Sequence, residues 1–395
     1  MKKILPILCV ILCATACIYP YTPDLEEAPE GILTVDGDIS IGDMSTVRLG
    51  ALMSLWWNGL SYAPDFSTAR VWVEDDSGRK FPGVPETGSS FSYDIGIPRY
   101  NQVFKISTKD APVDRSYRLC VEAFDGLYVS DWSKPAPAPV IRSIDFFCGE
   151  GDENVTVAVS VDGGDEGTGY FQLSFEELWQ FHADYSISYI FNPETLAITP
   201  GIQPDFDRYW CWRTSNSGRI YPVDYTGMVE SGVTAWPLQR FSRYDNRNHR
   251  QYFIRVKAKT LTKDNFRFLQ ALEENTNGGD NLFTPNPGEI PSNLRCESDP
   301  DRTVLGYVTV GQVSVQEATL DSRYLRTRHP DYYSLCYALP KDYLFLYEQG
   351  WLPLVENTKP DRDPEWEGDY GWGAPRCYDC VAAGGTLTIP DFWDE

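Results

Sequence analysis

Histidine is scarce in this sequence: His182, His249 and His329 are the only three in 395 residues. None lies in an HExxH arrangement and no serine sits in a nucleophile-elbow context, so neither a zinc hydrolase motif nor a Ser-His-Asp device is written locally. Phosphate cradles are missing too, because the glycines at 163, 164, 167 and 169 fall in a turn between two strand-like segments. A nucleotide site would need them between a strand and a helix. Basic charge is in short supply, with 34 Lys and Arg against 57 Asp and Glu, a formal net charge of -23. Phosphate backbones are bound by Lys and Arg clusters that displace counterions, so nucleic acid is excluded as a partner. Nor does any later stretch reach the roughly 18 uninterrupted apolar residues that a spanning helix requires.

Aromatic side chains, by contrast, are abundant. The chain holds 12 Trp, 24 Tyr and 19 Phe, and its hydrophobic fraction of 42% is that of an ordered globular protein. At roughly 100 to 200 residues per domain, the length predicts two or three domains.

The first sixteen residues read as an export signal. Lys2 and Lys3 precede an apolar run from Ile4 to Ala14, which ends in Ala14-Thr15-Ala16-Cys17. Two cleavages compete there. Ala16 followed by Cys17 resembles a bacterial lipobox, with Cys17 diacylated as the first mature residue, although Ala14 stands where Leu is usual. The small residues alone would also suit the ordinary signal peptidase. Residues 17–30 carry three prolines and read as a tether that holds a globular body away from a bilayer. The acids Asp24, Glu26, Glu27 and Glu30 resemble the acidic stretch behind the lipidated cysteine of surface-exported Bacteroidetes lipoproteins.

Of the ten cysteines, Cys9 and Cys13 leave with the signal and Cys17 takes the lipid. Cys120, Cys148, Cys211, Cys296, Cys336, Cys377 and Cys380 then face an oxidising compartment, where disulfides persist. Cys377-x-x-Cys380 lacks nearby further ligands for zinc. It also lacks the strand and helix flanks of a redox pair, so structural cystines are the expectation.

The expected fold is mainly β. An immunoglobulin-like β-sandwich occupies residues 31–139, with period-two alternation in Leu33-Thr34-Val35, Ala69-Arg70-Val71, Val103-Phe104-Lys105 and Tyr117-Arg118-Leu119. Ser133 to Val140 contains three prolines, which cannot donate to a central ladder, and marks the boundary. Residues 140–395 form a larger, β-sandwich-like domain with an irregular C-terminal tail. Its one helix lies near 263–274, capped by Thr262 and carrying Phe266, Leu269 and Leu272 on a core-facing stripe.

No catalytic set and no cofactor emerge from the residues. Glu176 and Glu177 are adjacent, so a strand turns them to opposite faces, and a glycosidase pair would need a partner such as Asp205 or Glu230. Asp361, Asp363 and Glu365 alternate as weak calcium candidates, but Trp366 stands where a calcium loop needs Gly. Trp56-Trp57 and Tyr209-Trp210-Cys211-Trp212 place rings on both faces of extended segments. Trp210 and Trp212 are therefore candidates for contact with a glycan or protein ligand, beside the plainer reading of core packing.

Several of these features together resemble the DUF4249 lipoproteins of Bacteroidetes: Cys17 with its tether, Leu33 to Gly37, Phe175 to Trp179, Cys211-Trp212, Leu305-Gly306-Tyr307, and the ending Cys377 to Trp393. The resemblance implies an outer-membrane lipoprotein of a kind often encoded near TonB-dependent receptors, with no established activity, and the first expectation is a non-catalytic accessory or binding partner of such a transport system. It also implies a structural tail, in which Cys377 and Cys380, paired together or either with Cys211 or Cys296, pin the end of the chain while Phe392 and Trp393 anchor it. Secreted glycan hydrolase and structural or adhesive subunit are the alternatives.

Overall fold

The computed structural model describes residues 32–51, 66–86, 92–94, 97–99, 102–149, 153–163, 168–202, 208–217, 220–228, 231–277, 292–321, 343–356 and 369–390. Its N-terminal strands are β1 (Leu33–Ile41), β2 (Met44–Ala51), β3 (Arg70–Asp75), β4 (Lys80–Pro85), β5 (Ser92–Asp94), β6 (Ile97–Arg99), β7 (Gln102–Ser107), β8 (Tyr117–Ala123) and β9 (Gly126–Ser130). Then follow β10 (Val140–Phe147), β11 (Asn154–Asp162), β12 (Tyr170–His182), β13 (Tyr189–Asn192), β14 (Ala197–Pro200), β15 (Trp210–Asn216), β16 (Tyr221–Asp224), β17 (Gly232–Ser242) and β18 (Gln251–Thr260). The last are β19 (Leu294–Cys296), β20 (Val304–Asp321), β21 (Leu352–Glu356) and β22 (Tyr370–Gly373). The protein is mainly β, with mixed, open sheets and a few short helices.

Most strands join one path, β15-β12-β18-β20-β1-β2-β7-β4-β3-β8-β9-β19. Alternation builds its first core. Leu33, Val35, Ile39 and Ile41 of β1 point inward with Val47, Leu49, Val73, Ile106, Leu119 and Val121, while Asp36 and Asp38 point out. Strand β4 pairs with both β3 and β7 and so carries the path from one side of this core to the other. At the start of β8 the Tyr117 hydroxyl donates to the Pro112 carbonyl and ties down the preceding turn.

Strand β20 is the unusual element. Its first half runs parallel to β1, from Leu33↔Val304 to Ile41↔Gln312, and its second half runs antiparallel to β18, from Lys259↔Val313 to Gln251↔Asp321. With β19, which pairs with β9, residues from late in the chain therefore complete the N-terminal sheet. Chain order and sheet membership diverge here. Gly306 (φ +127°) permits the parallel pairing, since a Cβ there would lie 1.8 Å from the Val35 carbonyl oxygen.

A second core fills the space between the three-stranded sheet β10-β11-β17 and the β15-β12-β18 end of the long path. Val155, Val157, Val159 and Val161 face Phe171, Leu173, Phe175, Tyr252, Ile254 and Val256. The helix Lys263–Asn277 begins where Thr262 Oγ1 accepts the Asn265 N–H at 3.1 Å. It packs through buried Leu269, with Phe266 4.8 Å from Tyr170 and Phe268 stacked 4.2 Å from Tyr307. Leu272's side chain lies outside the described residues.

Among the described residues the single expected helix is joined by two other α-helices, Tyr343–Glu348 and Pro375–Tyr378. Each has under two turns, too few for an apolar period to register in sequence. They belong to a third, smaller core of Ile187, Leu352, Leu354, Cys377 and Tyr378, beside the hairpins β13-β14 and β21-β22. No helix among the described residues is long and apolar enough to cross a membrane.

Candidate functional site

The candidate site sits where the C-terminal end of β12 meets the start of β15 and the 242–250 turn. Pairing of His182 with Trp210, Phe181 with Cys211 and Gln180 with Trp212 fixes which side chains share a face. Trp210 and Trp212 fall on one face, both half-buried, while Cys211 between them is buried on the other.

Beneath this corner lies a charged network. Glu177 is 3% exposed and points to the inner face, and Glu176 points to the opposite face toward Lys257 at 3.2 Å. Arg247 grips Glu177 with two bonds, Nε to Oε1 at 3.2 Å and Nη2 to Oε2 at 3.3 Å, and reaches Asp245 through Nη1 at 3.1 Å. Tyr252 donates its hydroxyl to Glu177 Oε1 at 2.6 Å. Burial, with the Glu177 charge beside it, pushes the Tyr252 phenol far above its ordinary value. Against burial, Glu177 and Asp245 hold the Arg247 guanidinium above its ordinary value. Its plane lies 4.6 Å above Trp179, whose indole N–H donates to Asn246 Oδ1 at 3.1 Å. Both oxygens of the buried carboxylate are thus engaged by donors, an arrangement that holds a turn in place.

A group of rings gathers at the end of β12. His182 stacks on Tyr209 at 5.0 Å and on His249 at 4.2 Å, and meets Trp210 edge-on at 5.0 Å. Its Nδ1 donates to the Ala183 carbonyl at 2.6 Å, and His249 Nδ1 accepts the His182 backbone N–H at 3.3 Å. Arg250 places its guanidinium 5.6 Å from the Trp210 ring. His249 stands in no motif of its own in the sequence. It is 67 positions from His182, and no local signal links the two, since the register of β12 with β18 and the turn before β18 bring the rings together.

The tail seals the corner. A disulfide joins Cys211 to Cys380, which excludes a bond between Cys380 and Cys377; Cys377 is disulfide-bonded as well. Cys296, a sequence candidate for this role, is instead a free buried thiol 3.3 Å from the Ser298 hydroxyl, because β19 carries it to the N-terminal core. Arg208 bridges Asp379 at 3.2 Å, and Trp212 and Thr386 exchange backbone hydrogen bonds of 2.9 and 2.8 Å. The glycine pair after the second cysteine now has a reason: a Cβ on Gly385 would come within 2.5 Å of Cys211 Cβ.

Cys17, Trp56, Trp57, Asp205, Glu230, His329, Cys336, Asp361, Asp363, Glu365, Phe392 and Trp393 lie outside the described residues. Among the described residues no group of three or more His, Cys, Asp or Glu is placed to hold a metal ion.

These features define a mainly β-strand protein whose C-terminal tail is pinned over an aromatic corner of its second core. The family model described as a domain of unknown function (DUF4249) matches residues 18–317, most of the chain, and the chain belongs to that family. The terminal Cys377 to Trp393 motif lies beyond the matched span. No curated protein matches the chain.

Proposed function

We propose that the chain is a lipid-anchored, non-catalytic binding protein of the outer membrane, exposed to the exterior and working as an accessory to a TonB-dependent receptor. The observation that carries the binding reading is the corner of Tyr209, Trp210, His182 and Arg250. Half-exposed Tyr209 and Trp210 pack against the buried His182 ring beside the Arg250 guanidinium, with the Cys211–Cys380 disulfide next in the chain, and aromatic and arginine groups are favoured in recognition surfaces. The Glu177 carboxylate is fully committed to Arg247 and Tyr252, which argues against its serving as one member of a glycosidase pair. Anchoring through Cys17 follows from the signal and tether in the sequence. The Tyr117 hydroxyl bond to Pro112 supports an immunoglobulin-like reading of the N-terminal unit, where a tyrosine at the start of a strand ties down an upstream turn.

The test is crosslinking and co-purification from solubilised outer membrane, where a stoichiometric receptor is expected and its absence overturns the accessory role. Trp210→Ala should lower partner or glycan affinity at least tenfold with an unchanged melting temperature. A variant that binds normally, or one that unfolds, removes the ring from the proposed surface.

A further inference from the structure

We propose that the Lys259 amine and the Asp38 carboxyl condense into an intramolecular amide that straps the two β units together where β20 changes partners. Asp38 lies on β1 and Lys259 on β18, and β20 runs between them. Lys259 crosses that strand through the space left by Gly311, where a Cβ would come within 3.0 Å of the lysine's Cγ and Cε. Its side chain is 3% exposed, and its Nζ touches Asp38 Oδ1. The other contacts of Nζ are with Thr309, at 2.9 Å to Oγ1 and 3.3 Å to the carbonyl oxygen. The Thr309 hydroxyl also lies 3.3 Å from Asp38 Oδ1, so one buried hydroxyl touches both the nucleophile and the group it would attack.

The chemistry closes without a co-reactant. Burial lowers the Lys259 pKa, with Asp38 and Asp36 opposing, and so favours the neutral amine. Proton transfer within the pair yields an amine and a carboxylic acid. The Nζ lone pair attacks Asp38 Cγ, and a proton passes from nitrogen through Thr309 Oγ1 to the departing hydroxyl. The Cγ–O bond breaks, the Nζ–Cγ bond remains, and one water leaves. Condensation is unfavourable between dilute partners in water, but held groups gain effective molarities on the order of 10⁵–10⁸ M. The product also replaces the ammonium of a buried lysine with a neutral amide, while Asp38 reaches the pair from a side chain that is 39% exposed. The strap would join residues 221 positions apart.

The deciding measurement is the mass of the full chain, made without export and fully reduced. It should be one water, about 18 Da, below the sequence mass. Proteolysis should yield a branched fragment holding residues 38 and 259 together, and Lys259→Met and Asp38→Ala should each restore the full mass. A wild-type chain at its full sequence mass overturns the proposal, as does a water loss that maps to any other pair. The wild-type result decides even if a variant fails to fold.

Discussion

Glu177 can be weighed against its surroundings side chain by side chain. Removing it leaves the Arg247 guanidinium over Trp179 with Asp245 as its acidic partner and strips Tyr252 of its acceptor. Breaking a buried pair by deleting one member costs roughly 3–5 kcal/mol, and the remaining Asp245 contact places Glu177→Ala toward the lower end. Urea unfolding should show this as a lowered midpoint with an unchanged slope. Tyrosine hydroxyls make a second prediction, about pH. Burial, with Asp75 and Asp114 adding to it, pushes the Tyr117 phenol up to about 12, and burial beside Asp379 does the same for Tyr378. A phenol raised in the folded state binds its proton more tightly there than in the unfolded chain. Its stabilising contribution is therefore whole below pH 10 and is lost between 10 and 12. Unfolding midpoints should hold level to pH 9.5 and fall beyond it, while tyrosinate absorbance from these two rings appears only with unfolding.

At the scale of elements, β20 depends on two glycines for its double pairing. Gly306→Ala places a Cβ on the Val35 carbonyl at a φ that favours glycine, so the parallel ladder with β1 must part locally. A loss of at least about 3 kcal/mol is expected, in the range reserved for backbone strain and broken ladders. A melting temperature within a degree of wild type would contradict this. The same strand shows what the sequence can and cannot convey. Alternation in Leu33 to Ile41 reveals β1 and its inward face, and Thr262 before Lys263 reveals a helix start, because both signals are local. β20 reads as one unbroken strand, and nothing between Val304 and Asp321 announces that its partner changes from β1 to β18. Gly306 and Gly311 are the only local traces, and glycine in a strand has several causes. The aromatic corner was half legible for the same reason. Trp210 and Trp212 stand out in the sequence, whereas His182, His249 and Arg250 come to Trp210 through the register of β12 with β18 and the turn ahead of it.

Over the whole molecule, the shared strand couples two cores that the sequence would separate at residue 139. β1 has β2 on one side and the first half of β20 on the other, and β9 has β19 as its outer neighbour. A fragment of residues 32–139 would keep β1 through β9 but lose nine parallel pairs along β1 and the Leu294, Cys296, Val304, Val308 and Val310 side chains of the first core. It would also expose the β1 edge, a row of unpaired N–H and C=O groups that invites pairing between chains. Across the join the loss is electrostatic as well: Asp43 in the β1–β2 turn would lose Lys257, now 3.1 Å away, and Asp38 would lose Lys259. The fragment is therefore expected to aggregate or to unfold without a cooperative transition. The full chain should melt in a single calorimetric transition, because neither core is complete without β20. A soluble fragment with its own sharp transition, or two well-separated transitions in the full chain, would show that the cores are independent and that β20 ties them only loosely.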